Sequence, residues 1–215
     1  MSAQTNVSPA DGATAVPTGN AYDKYTASNP IERRLMQDFL RTLDAFLPAT
    51  APATVLEVGM GEGEIAARIR QRYPGARMVG IDLPDPDLAV AWGEKGVSGA
   101  FADIAHLPFP SHHFDLVLAI EVLEHVPDPD AALREIARVG RGSVVLSVPH
   151  EPIWRMANMA RGKYLRDLGN TPGHIQHWSQ RGFRRQVGAH LDVESSAFPF
   201  PWTMVAARTR RPAAP

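Results

Sequence analysis

The chain has 215 residues, 44% of them hydrophobic, which is enough to bury one substantial core. Its 22 Lys and Arg against 23 Asp and Glu leave a net charge of -1, which argues against DNA or another polyanion as the main partner. The lack of cysteine excludes disulfides, thiolate catalysis and cysteine-held metals. No stretch approaches the roughly 18 apolar residues of a membrane span, and the start has no basic-then-apolar leader pattern. A soluble cytoplasmic protein is expected.

Residues 1–20 are mostly small, polar and Pro/Gly-rich and read as a flexible N-terminal tail, with a similar C-terminal tail over 209–215. Between them, 21–208 read as one domain. Asn29 can cap a helix with Pro30 in its first turn, and Ile31, Leu35, Phe39, Leu43 and Phe46 follow at helical spacing until Pro48. Short apolar runs come next at Thr54–Val58, Met78–Ile81, Gly99–Phe101, Phe114–Ile120 and Ser143–Val148. Helical patterns at Glu62–Tyr73, Asp87–Lys95 and Asp130–Val139 separate most of them. Strands alternating with helices predict βαβ units and a parallel sheet covered on both faces. Residues 150–178 break this rhythm and read as an insert. A helix over Ser179–His190 then precedes two further strands, Asp192–Ala197 and Trp202–Arg208.

The first strand runs directly into Gly59, Gly61 and Gly63, spaced G-x-G-x-G. Glycines after a strand and before a helix let a ligand approach bare backbone. A dinucleotide fingerprint would want G-x-G-x-x-G, and a phosphate loop would want Gly-Lys-Ser/Thr where this chain has Gly-Glu-Ile. The turn is acidic, with Glu57 before it and Glu62 and Glu64 within or beside it; these carboxylates would repel a pyrophosphate and suit a cationic ligand. Asp82 ends the second strand, about 20 residues beyond the glycines, where an acid accepts from ribose hydroxyls. Asp103 follows the third strand, where a carboxylate can accept from an adenine amino group. An adenosine without pyrophosphate fits this set.

On these residues the chain resembles the class I S-adenosylmethionine-dependent methyltransferases, closest to the type 11 and quinone-biosynthesis branch. The resemblance runs from about Tyr22 to Arg208. It is carried by Leu56-Glu57-Val58-Gly59-Met60-Gly61-Glu62-Gly63, Gly80-Ile81-Asp82, Ala102-Asp103 with Leu107-Pro108-Phe109, and Phe114-Asp115-Leu116-Val117 leading to Glu121-Val122-Leu123-Glu124-His125-Val126. It implies a Rossmann-like doubly wound α/β fold of seven strands, mostly parallel with the last antiparallel, and helices on both faces. By position it also implies that Glu57 orients the turn and the methionine amino group, that Gly59, Gly61 and Gly63 form the floor, and that Asp82 binds the ribose. Leu83 would pack on the adenine, Asp103 and the Ile104 amide would read it, and Ile120 and Glu121 would flank the methionine portion. Tyr25, with Tyr22, resembles a segment that closes over the cofactor.

Methyl transfer from a sulfonium is an in-line displacement, in which a base is required only where the acceptor starts protonated. His125 and His174 are candidates for that base, His125 competing with a structural role in the Leu-Glu-His turn. His174 and His177 are three apart, but a pair without a third ligand argues weakly for a metal, and no metal is expected. The insert, with Trp154, Met156, Met159, Tyr164 and Trp178, is where acceptor choice should reside, its aromatics serving either a pocket or ordinary packing. A small-molecule acceptor, such as a quinone or secondary metabolite, is preferred. Cytosine C5 methylation lacks its cysteine, and the motif of amino-methylating DNA enzymes is replaced by Ala119-Ile120-Glu121-Val122. The alternatives are an RNA methyltransferase, a non-catalytic adenosine-binding regulator and a nicotinamide dehydrogenase, the last disfavoured by the glycine spacing. The sequence carries no signal for an oligomeric state.

Overall fold

Asn29 opens the part of the chain described by this computed structural model, which covers residues 29–160, 170–171 and 173–210. Its side chain accepts from the Ile31 amide at 2.9 Å, with Pro30 in the first turn, so α1 (Pro30–Phe46) begins where the sequence predicts. Met36, Phe39 and Leu43 recur at helical spacing and are buried. After α1 come β1 (Thr54–Val58), α2 (Glu64–Arg72), β2 (Arg77–Asp82), α3 (Pro86–Lys95), β3 (Gly99–Phe101) and β4 (Phe114–Ile120). The chain continues through α4 (Pro129–Val139), β5 (Gly140–Pro149), α5 (Ile153–Ala160), α6 (Gln180–His190), β6 (Asp192–Ala197) and β7 (Trp202–Arg208).

The strands form one seven-stranded sheet in the order β3-β2-β1-β4-β5-β7-β6. The first five strands pair in parallel, and β7 runs antiparallel between β5 and β6. This is the expected doubly wound α/β fold. Alternate residues of β1 and β4 feed two cores, as a period of two requires. Leu56, Val58, Val117 and Ala119 pack with Leu133 and Ile136 of α4 and Phe183 and Val187 of α6. Val55, Leu116, Leu118 and Ile120 pack with α1 and with Ile65 and Ile69 of α2. Among these, the fully buried large side chains Leu56, Ile69, Leu116, Leu118, Leu133, Ile136 and Phe183 each contribute about 1.5–3 kcal/mol.

Most boundaries agree to within one residue, and the larger shifts have physical reasons. α2 starts at Glu64 rather than Glu62, because Gly63 stands in the left-handed region (φ 83°) as the residue before the helix. β5 starts at Gly140 rather than Ser143, and a side chain at Gly142 would lie 2.4 Å from the Asp115 carbonyl oxygen, so only glycine permits this approach. Thr209 and Arg210, the first residues of the C-terminal tail expected from 209, are both held against the domain. Thr209 donates its amide to Gly142 at 3.0 Å, and Arg210 donates to the Gly188 and Ala189 carbonyls at 2.7 and 3.0 Å. Residues 1–28 and 211–215, with the expected N-terminal tail, Tyr22 and Tyr25, lie outside the described residues, as do 161–169, which include Tyr164. No helix among the described residues is long and apolar enough to cross a membrane.

Candidate functional site

β1 delivers its chain to the carboxyl edge of the sheet at the point where strand order reverses, the edge where open α/β sheets take ligands. There the backbone turns through Gly59, Gly61 and Gly63 with φ of 67°, 52° and 83°. Gly59 is restricted twice, since an added Cβ would also meet Val122 Cγ2 at 2.3 Å.

The turn is pinned from both sides. The Gly61 amide donates to Asp82 Oδ2 at 2.7 Å, and the Gly61 carbonyl accepts from Trp92 Nε1 at 2.7 Å. The Met60 amide donates to the Ile81 carbonyl at 2.9 Å and the Gly63 amide to the Met60 carbonyl at 3.0 Å. Asp82 Oδ1 accepts from the Leu83 amide at 2.7 Å, so this aspartate clamps two backbone segments and keeps further lone pairs for a ligand.

Glu57 is only 2% exposed, and its Oε2 has no hydrogen-bond partner among the described residues. Burial first, and the nearby Asp82 second, hold its carboxyl well above the usual carboxylate range. Asp82 is also raised, mainly by burial; the Gly61 and Leu83 amides oppose this, and Glu62 and Asp85 add to it. A cation placed among these groups would relieve their repulsion and the cost of burying charge.

The other expected residues differ in setting. Asp103 is exposed, accepts from the Ala105 amide at 2.8 Å through Oδ1 and lies 3.7 Å from His106 Nδ1. Ile104 is buried, and Ile120 is part of the core on the α1 side. Leu83 is half-buried beside Asp82. Glu121 donates its amide to Ser147 at 3.0 Å and has φ 57°, a left-handed conformation rarely taken by a residue with a side chain.

His125 donates through Nδ1 to the Gly173 carbonyl at 2.9 Å, which fixes its ring. His174 is buried, and its ring lies 4.9 Å from that of His125. The fold therefore brings the two histidines of the acceptor analysis together. His177 instead meets Asn170 Oδ1 at 2.9 Å. Within the insert, Trp154 bonds Thr171 Oγ1 at 2.9 Å and Trp178 bonds Gln186 Oε1 at 2.8 Å, so both indoles serve packing, while Met156 and Met159 are exposed.

Trp92 escaped the sequence reading, and Val122 and Glu124 entered it only as part of the motif after β4, without a role of their own. Trp92 sits at a core position of α3, where an indole reads as packing, and its bond to Gly61 spans 31 residues. Nothing local marks that bond.

Residues 56–147 match the family described as a methyltransferase domain. The chain is 32% identical over 136 residues to norajmaline N-methyltransferase of Rauvolfia serpentina, covering 58% of this chain and 46% of that protein. It is 36% identical over 110 residues to demethylmenaquinone methyltransferase of Thermus thermophilus, covering 47% and 50%. The chain spans about half the length of these curated relatives. Among solved structures, a chain from the complex between the Haloferax volcanii Trm112 methyltransferase activator and its putative methyltransferase superposes with a TM-score of 0.67 at 19% identity, covering 84% of this chain and 92% of that one. The S-adenosylmethionine-dependent methyltransferase of Mesorhizobium loti gives 0.63 at 22% identity, covering 80% and 97%. These two likenesses show a shared fold. Residues 56–147, which hold the acid-lined glycine turn after β1, are thus similar to a methyltransferase domain.

Proposed function

We propose that this domain transfers a methyl group from S-adenosylmethionine to a small-molecule acceptor, using the turn after β1 as the cofactor cradle. Glu57 carries the reading: a buried carboxylate with an unpartnered oxygen stands at the base of three left-handed glycines. A buried acid there calls for a cationic partner, and the amino group of a sulfonium amino acid meets that need where a pyrophosphate would be repelled.

Asp82 would accept from the ribose hydroxyls with its remaining lone pairs while it holds Gly61 in place. Leu83, Asp103 and the Ile104 amide would receive the adenine, and Ile120 and Glu121 would border the methionine portion. Tyr25 would cover the site from the N-terminal side. When bound, the cofactor supplies an electrophilic methyl carbon. The residues of the chain contribute alignment and exclusion of water, the terms that dominate an in-line displacement.

A small acceptor agrees with the balanced charge and with the exposed apolar side chains Met156, Met159 and Ile175 around the insert. The relatives named above carry alkaloid and quinone names, which support the same class. Calorimetry with S-adenosylhomocysteine and with NADH tests the cofactor, and transfer of labelled methyl into a metabolite extract tests the reaction. One-to-one binding of S-adenosylhomocysteine and labelling of a small product are expected. Tight NADH binding without S-adenosylhomocysteine binding would overturn the assignment, and cofactor binding with no labelled product would reduce the protein to a binding module.

A further inference from the structure

The turn after β4 holds a constellation that the cofactor reading does not use. Glu124, His125 and His174 each present a ligand atom, and these atoms lie within 4.8 Å of one another. Glu124 and His174 are buried at 2% and 8% exposure, unlike a surface acidic cluster. We infer that these three side chains form a divalent-cation site.

The expectation of no metal rested on His174 and His177 lacking a third ligand. The fold pairs His174 with His125 instead and supplies the carboxylate from Glu124. His125 donates Nδ1 to the Gly173 carbonyl at 2.9 Å, the backbone bond that usually orients a metal-binding imidazole, which assigns Nε2 to the cation. The two segments are tied together independently of any ion. The Ile175 and Gln176 amides donate to the Glu124 carbonyl at 2.9 and 3.0 Å, and Gln176 Nε2 reaches the Val126 and Pro127 carbonyls at 3.3 Å each. The ligands are therefore held close before an ion arrives, which lowers the ordering cost of binding.

Two imidazoles and one carboxylate favour Zn2+, Mn2+ or Fe2+ over the all-oxygen preference of Ca2+ and Mg2+. Three protein ligands leave coordination positions for water or an oxygen-bearing ligand, as in sites that do chemistry rather than brace a fold. The site lies at the carboxyl edge of β4, the same edge as the glycine turn.

The full chain, stripped with EDTA, is titrated with MnCl2 and separately with ZnCl2 by calorimetry, and the Mn2+ complex is examined by pulsed electron paramagnetic resonance. One ion per chain and nitrogen coupling from imidazole are expected in the wild-type protein. Glu124→Gln and His174→Gln should each weaken binding by about 10-fold or more, and His177→Ala should leave it unchanged. No stoichiometric uptake, uptake without nitrogen coupling, or wild-type affinity in both ligand variants would overturn the site. The nitrogen signal is read on the wild-type chain, so a variant that fails to fold does not remove the test. None of these readouts depends on methyl transfer.

Discussion

Asp82 and Gly61 are joined by a 2.7 Å hydrogen bond from the Gly61 amide to Oδ2, so the acid proposed for the ribose is also the clamp of the glycine turn. Asp82→Asn keeps the shape and removes the charge. It should weaken S-adenosylhomocysteine binding by about 1.5–3 kcal/mol, the scale of a charge-assisted bond. Calorimetry on the folded variant checks this, and an unchanged dissociation constant would refute the placement.

Trp92 holds the other side of Gly61 through its indole nitrogen at 2.7 Å, and its ring packs so closely on Gly99 that an added Cβ there would lie 2.1 Å away. Trp92→Phe removes the bond and keeps an aromatic ring. A loss of about 0.5–1.5 kcal/mol in stability, with weaker cofactor binding, is expected from thermal melts and calorimetry. Full affinity in the variant would show that the turn needs no support from α3.

Glu57 predicts a conflict between stability and binding. In the unfolded chain it ionises near 4.5, while burial and Asp82 keep the native carboxyl protonated to higher pH. As pH rises above the unfolded value, the unfolded chain gives up a proton that the native chain retains, so native stability falls. Glu57→Gln removes that loss. The ligand-free variant should melt at or above the wild type at pH 7.5, the gap should close near pH 4, and binding of S-adenosylhomocysteine should drop. A variant that melts lower at pH 7.5 but equally at pH 4 would contradict this assignment.

Asp115 has the opposite sign. Its Oδ2 accepts from the Ala53 and Thr54 amides at 3.0 Å each and from Thr54 Oγ1 at 3.1 Å, while Arg141 Nε meets Oδ1 at 2.8 Å. Arg141, followed by Thr54, lowers its pKa to about 2. The stabilisation is complete above the unfolded value near 3.8 and is lost as pH falls toward the native value. Asp115→Asn should cost about 1–2 kcal/mol at pH 7, and denaturant melts of the two proteins should converge near pH 2. A gap that persists unchanged at pH 2 would rule out the ionised carboxylate as its source.

Much of the fold could be read from residue order, because the alternation of short apolar runs with 3.6-periodic segments reports which faces must be covered. The start of β5 moved because of a distant neighbour, Gly142 against Asp115, and distant neighbours also hold Thr209 and Arg210 against the sheet end and α6. The start of α2 moved for a local reason, the left-handed Gly63.

The cofactor turn is legible one residue at a time. Glycine is favoured where φ is positive, so Gly59, Gly61 and Gly63 could be named from the sequence, while the role proposed for Asp82 follows from its place at a strand end and that proposed for Glu57 from the family resemblance. The convergence of Glu124 and His125 with His174, and the bond from Trp92 to Gly61, exist only after the chain closes on itself. His125 meets Gly173 across 48 residues, and no local pattern encodes which segments a sheet will bring to one edge. Local backbone demands therefore point to the cofactor, and long-range packing assembles the cation site proposed beside it.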